Sequence, residues 1–232
     1  RKIRIEEHRR DERTQELREN HVVLGPAPEF VQRTRLDAAG NFPELFEQYT
    51  DCPFEITEKM LGVNLSVYCD RMGNPEKPGV CLDGRAIRDD PGVFHWSLIR
   101  RLGVEAALLQ CPHDLVLEGV VIGPGIRGGR LVGYRTNEFR VFDIYDLTED
   151  RTLLPDEREA FCRKSKVLHV PIIARNQCVF AQCATPAELK AYSDGRTYYG
   201  YPRRGIVLRS ENPDLDIWVQ VKNPRFREGK SA

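Results

Sequence analysis

The chain is patterned in short runs of alternating apolar and polar residues. Val63, Leu65 and Val67 alternate with Asn64, Ser66 and Tyr68. A period of two is the signature of a strand with one face on a core. Phe54-Glu55-Ile56-Thr57, Val80-Cys81-Leu82, Leu115 to Ile122, Phe139 to Leu147, Val167 to Ile173 and Gly205 to Arg209 also predict strands. So does Asp216 to Lys222, with Ile217, Val219 and Val221 on one face and Trp218, Gln220 and Lys222 on the other. Helices are predicted from Pro43 to Tyr49, over 94–110 with a break near Gly103, over about 155–165, and from Thr185-Pro186-Ala187-Glu188 to Tyr192. That last start has a capping box and proline at the first helical position. Residues 1–20, with opposite charges three and four apart, predict a solvated helix or arm that docks a partner or stays in solvent. Pro26 and Pro28 mark an extended linker after it. Strands outnumber helices with no βαβ alternation, which predicts an α+β fold of antiparallel sheets with flanking helices.

Composition narrows the function classes. The formal net charge is zero, so any nucleic-acid surface has to be a local patch. Arg127, Arg130, Arg135 and Arg140, with Tyr134 and Phe139, make one such basic and aromatic cluster; it grips RNA or is simply a solvated loop and strand. The seven cysteines are irregularly spaced with no CxxC pair, which argues against a zinc ribbon and for free thiols in a reducing compartment such as cytosol, nucleus or organelle matrix. No apolar run approaches the roughly 18 residues of a membrane span, so no membrane partner is expected. His95, His113 and His169 have no metal or triad spacing and read as structural. Gly123 to Arg130 lacks the Gly-Lys-Ser/Thr of a P-loop.

The stretch with the most chemistry is Glu58-Lys59-Met60-Leu61-Gly62-Val63-Asn64, between two strands. A lysine at such a junction is a candidate nucleophile or an ordinary surface lysine.

Six segments in order resemble the RNA ligase family, within the covalent nucleotidyltransferases. Phe30-Val31-Gln32-Arg33-Thr34 through Phe42-Pro43-Glu44-Leu45 resembles its lead-in. Glu58-Lys59-Met60-Leu61-Gly62 resembles its Lys-x-Asp-Gly motif. Gly119 to Ile126 is similar to Gly-Glu-Leu-x-Gly-Pro-Gly-Ile, and Val141-Phe142-Asp143-Ile144 to the aromatic-bearing strand. Arg204 to Arg209 stands where the family writes Glu-Gly-x-Val-x-Arg, and Val219 to Asn223 where it writes Lys-x-Lys-Asn. The resemblance implies an ATP-grasp-like ligase or nucleotidyltransferase fold over residues 28–224, preceded by a charged arm and linker (1–27) and followed by a basic tail (225–232).

In that family the lysine attacks the α-phosphate of ATP, AMP passes to the 5′-phosphate of RNA, and a 3′-hydroxyl displaces it. The chemistry needs a neutral amine, carboxylates for the metal and the ribose, and cationic groups on the phosphates. The resemblance implies Lys59 as nucleophile and Glu58, Asn64, Phe142 and Lys222 as nucleotide contacts. Phe142 would stack on the base, though an apolar strand residue is as readily core; Lys222 would meet a phosphate or be solvated.

Several expected side chains are replaced. Leu61 stands for the acid two after the lysine, a position not acidic in every member. Val120 stands for the ribose glutamate and Arg204 for the metal glutamate, from where it could pair with Glu58 or Asp83. Gln220 replaces the first closing lysine. Asp83 aligns with a phosphate-binding arginine, with Arg85 two residues on. The reading that follows is a divergent, catalytically degenerate member with no metal site. It would act as a binding or scaffold module in an RNA-handling or ribonucleoprotein assembly, touching RNA through local basic patches and protein partners through the N-terminal helix. The alternatives are an active ATP-dependent RNA ligase using ATP and Mg, and an ATP-binding sensor that does not react.

Overall fold

A computed structural model describes residues 23–31, 36–71, 78–126 and 128–226. The expected N-terminal helix, Arg127 and most of the basic tail lie outside the described residues.

The fold is α+β, two sheets facing each other with helices on their outer faces. The seven-stranded sheet runs β1 (Val23–Pro26), β6 (Arg85–Ile87), β5 (Gly79–Leu82), β4 (Val63–Tyr68), β7 (Leu115–Ile122), β8 (Glu138–Asp146) and β9 (Arg151–Thr152). The five-stranded sheet runs β10 (Ile172–Gln177), β3 (Phe54–Glu58), β11 (Gly205–Ser210), β12 (Trp218–Lys222) and β2 (Asp37–Ala38). All pairings are antiparallel except β2 with β12.

The helices follow from apolar residues spaced to face these sheets. Trp96, Leu98 and Ile99 of α2 (Phe94–Arg101) and Val104 and Leu108 of α3 (Val104–Gln110) join Leu65, Val67, Leu117 and Val141 in one core. The break falls at Gly103, in the left-handed conformation that glycine adopts without strain. Leu45 of α1 (Glu44–Gln48), Val179 and Phe180 of α5 (Val179–Gln182) and Leu189 of α6 (Pro186–Tyr192) cover Phe54, Ile56, Ile206 and Leu208 in a second core. Thr185 caps α6 by accepting from the Glu188 N–H. The fourth helix, α4 (Pro155–Ser165), sends Cys162 into the first core and Arg158 toward the other sheet.

Three expectations change. Residues 167–173 are not one strand: Leu168 and Val170 exchange backbone hydrogen bonds with Val141 of β8, and from Pro171, whose carbonyl accepts the Glu58 N–H, the chain joins β3. Proline at 171 has no N–H to donate, and the chain passes from one sheet to the other there. Residues 23–26, assigned to linker, form β1. Asp83 and Gly84, both with positive φ, make the tight turn between β5 and β6.

Candidate functional site

A bulge where β7 meets β8 shapes the site. Gly119 pairs with Val141 but Glu118 pairs with Asp143, so Phe142 is the extra residue. A side chain at 119 would come within 2.4 Å of the Phe139 ring and 2.7 Å of the Arg140 carbonyl oxygen. The bulge breaks the alternation. Val141 and Ile144 stay in the core, while Phe142 and Asp143 both turn to the opposite sheet. Phe142 meets Trp218 of β12 edge-on, ring centroids 6.3 Å apart. Arg209 of β11 donates to Asp143 at 2.8 Å and to the Leu153 carbonyl at 2.9 Å, and its guanidinium lies 4.9 Å from the centre of the Trp218 ring.

Between the sheets lies a cleft of about 260 Å³. Its walls include Glu58, Lys59, Asn64, Val120, Phe142 and Gln220, so six of the sequence-predicted positions converge. Asn64 and Val120 are direct cross-strand neighbours. Lys59 sits where the chain leaves β3 for β4, its backbone N–H on the Gly205 carbonyl at 3.0 Å. Lys222 is exposed two residues beyond Gln220 on the same face of β12 and does not line the cleft. Neither do Leu61, Asp83 and Arg204. Asp83 occupies the exposed β5–β6 turn, and Arg204 precedes β11, its carbonyl accepting from the Asn223 N–H.

Leu61 and Val120 share a fate. Both are buried in one apolar cluster with Met60, Ile122, Val132, Tyr134 and Val170. The Leu61 side chain fills the space a Cβ at Gly128 would need, 2.1 Å away. Its N–H donates to the Tyr134 hydroxyl at 3.2 Å. Gln220 donates from its amide to the Leu36 carbonyl.

Each carboxylate on the cleft wall has a protein partner. Glu58 Oε2 accepts the Tyr198 N–H at 2.9 Å. Burial raises the Glu58 pKa, against that hydrogen bond and the charges of Arg140 and Arg203. Glu55 pairs with Arg158, both nearly inaccessible to solvent, and Arg175 Nη1 lies 3.6 Å from its other oxygen. Arg158 Nε donates to His169 Nε2 at 2.8 Å, while His169 Nδ1 faces the Val170 carbonyl at 2.5 Å. A carbonyl only accepts, so the proton is on Nδ1 and the imidazole is neutral. Burial and the neighbouring Arg158 push its pKa down to about 4. Glu55 Oε1 and Arg158 Nη1 are buried with no hydrogen bond among the described residues. Among those residues no three His, Cys, Asp or Glu side chains are grouped to hold a metal ion. With its carboxylates engaged by arginine and backbone N–H, the donor set on the wall does not fit a divalent cation.

The sequence reading missed Glu55, Arg158, Arg209 and Trp218. Arg209 and Trp218 carried a signal: they alternate with residues of the second core along β11 and β12. Glu55 also alternates with Phe54 and Ile56. The Glu55–Arg158 pair joins residues 103 apart in sequence, which no local pattern records.

The RNA ligase family model matches residues 53–226. The chain belongs to the RNA ligase family. Among solved structures it is similar to Naegleria gruberi RNA ligase with PPi, at 26% identity and TM-score 0.77, over 87% of this chain and 58% of that one. A variant of the same ligase with ATP and Mn matches at 25% identity and TM-score 0.77, over 87% and 59%. An apo variant gives 25% and 0.76, over 87% and 58%. This RNA ligase domain thus spans under two thirds of the length of the ligases it matches. No curated protein sequence matches it. No helix among its described residues is long and apolar enough to cross a membrane.

Proposed function

We propose that this RNA ligase domain, residues 28–224, has given up adenylyl transfer and serves as a binding module in an RNA-handling assembly. The observation that carries this reading is the burial of Leu61 and Val120 in one apolar cluster. These are two positions where the family resemblance calls for carboxylates. Leu61 is packed as core, where a carboxylate would be desolvated at a cost of roughly several kcal/mol, and Val120 gives the cleft an apolar wall in place of a carboxylate. Glu55 and Glu58, the acids that do reach the cleft, are committed to Arg158 and the Tyr198 N–H. Loss of one catalytic carboxylate is worth about two or more powers of ten in rate, and here several family positions have changed together.

Incubation with ATP labelled at the α-phosphate, with Mg or Mn, tests this. The expected result is no acid-stable label on the protein. A labelled band that disappears in Lys59→Ala overturns the reading and restores an active ligase.

A second reading is favoured by Phe142 and Trp218, two neighbouring aromatic rings that both line the cleft. A nucleobase lies against these rings. On this reading the cleft binds a nucleotide without reacting. Calorimetry with ATP separates the two: heat of binding lost in Phe142→Ala supports the sensor, and its absence supports the scaffold.

A further inference from the structure

Residues 128–135 and 194–203 pack side by side next to the cleft. Tyr201 lies on Gly133, where an added Cβ would come within 2.0 Å of its ring. The rings of Tyr134 and Tyr199 meet at 5.3 Å. Both segments are tied to the stretch that carries Lys59: the Tyr198 N–H to Glu58 at 2.9 Å, and the Tyr134 hydroxyl to the Leu61 N–H at 3.2 Å.

The surface they form has two properties at once. It carries the two exposed aromatic side chains among the described residues, Tyr198 at 73% and Tyr201 at 45% exposure. It is also one-sided in charge, on a chain whose net charge is zero. Arg130, Arg135 and Arg196 are exposed, and 128–135 contains no acid. Asp194, the one acid of 194–203, is held by Arg225 at 2.7 Å. Beside the patch, Glu138 is held by Arg140 at 2.7 Å. The aromatic half of the cluster expected from sequence is different: Tyr134 and Phe139 are buried.

The tyrosines are fixed in advance. Thr197 Oγ1 accepts the N–H of both Tyr199 and Tyr201, at 3.2 and 3.1 Å, and the Thr197 N–H donates to the Tyr201 carbonyl at 2.6 Å. Arg140 lies 5.6 Å from the centre of the Tyr198 ring. A loop ordered before binding loses little entropy on binding.

We infer that Tyr198 and Tyr201, with Arg130, Arg135 and Arg196, form a docking surface for single-stranded RNA beside the Lys59 cleft. The bases stack on the tyrosines, the arginines meet the phosphates, and stacking of this kind needs unpaired bases. The inference rests on membership of the RNA ligase family and not on the loss of adenylyl transfer.

The test is fluorescence anisotropy with a labelled 5′-phosphorylated single-stranded RNA of about 12 nucleotides, without ATP or metal. Its outcome is therefore independent of the labelling assay. Tyr198→Ala with Tyr201→Ala should weaken binding at least about tenfold, while the double phenylalanine variant binds as the wild type does. Arg130→Ala with Arg135→Ala should flatten the salt dependence of the affinity. Alanine variants that bind as tightly as the wild type overturn the inference. So does equal affinity for a duplex of the same sequence, or no binding by the wild type.

Discussion

His169 has no motif around it, and its state is set by two neighbours. One is a guanidinium that needs an acceptor and the other a carbonyl that needs a donor. The unfolded chain protonates this histidine near pH 6.5, whereas the folded chain does so only near 4. The stability it contributes is fully present above pH 6.5 and is lost as pH falls toward 4, by roughly 3 kcal/mol. Glu58 runs the other way. Its raised pKa makes the fold less stable as pH climbs from 4.5 through the folded value. Urea unfolding isolates the histidine. The stability gap between wild type and His169→Gln should narrow or reverse between about pH 7.5 and about pH 4.5. A gap that does not move would show that His169 is not held neutral. At this scale the meeting of Lys59, Glu58, Asn64 and Phe142 in one cleft was legible because each stands in a local string of residues that resembles a family segment. Glu55 and Arg158 were not, because a buried ion pair between distant segments leaves no mark on either.

The loop between β3 and β4 is pressed against β7. A Cβ on Gly62 would lie 2.3 Å from the Val121 carbonyl oxygen and 2.6 Å from a Val120 methyl. The carbonyl belongs to a central strand and cannot retreat without breaking pairs. Gly62→Ala should therefore cost about 2–4 kcal/mol, read as a clear fall in melting temperature. Gly40→Ala is the control, since its Cβ would make an ordinary 3.6 Å contact with Pro186. Equal melting of the two variants would refute the close approach. Runs long enough to show a period, such as Val63–Tyr68 and Glu138–Asp146, were legible as strands. Two- to four-residue strands such as β2, β6 and β9 hold too few residues to show one. The 168–172 passage combines residues that serve different sheets, so its apolar run looks continuous while its pairing is not.

Across the whole molecule, the odd, scattered cysteines were correctly legible as unpaired: all seven are free thiols. Five are buried, with Cys81 and Cys162 pushed up to about 12 by desolvation. Only Cys111 and Cys178 are partly exposed. A thiol-reactive chromophore at about pH 8 should titrate two groups quickly in the native protein and the other five only after unfolding. Fast reaction of more than two would contradict the packing of both cores. The α+β class followed from the excess of strands, whereas the cleft followed only from the family resemblance and not from any local pattern. A cleft is a relation between two sheets, and the residues that build it come from β3, β4, β7, β8, β11 and β12.

The passage at 168–172 has a mechanical consequence. Because the same five residues are bonded to β8 on one side and to β3 on the other, they act as a latch across the cleft. Widening the cleft at this end strains the Val170–Val141 bond and the Glu58–Pro171 bond. At this end the cleft is held by backbone, in addition to the Arg209–Asp143 pair that ties the two sheets through side chains. Whatever enters meets a gap fastened at one end by main-chain bonds to both sheets.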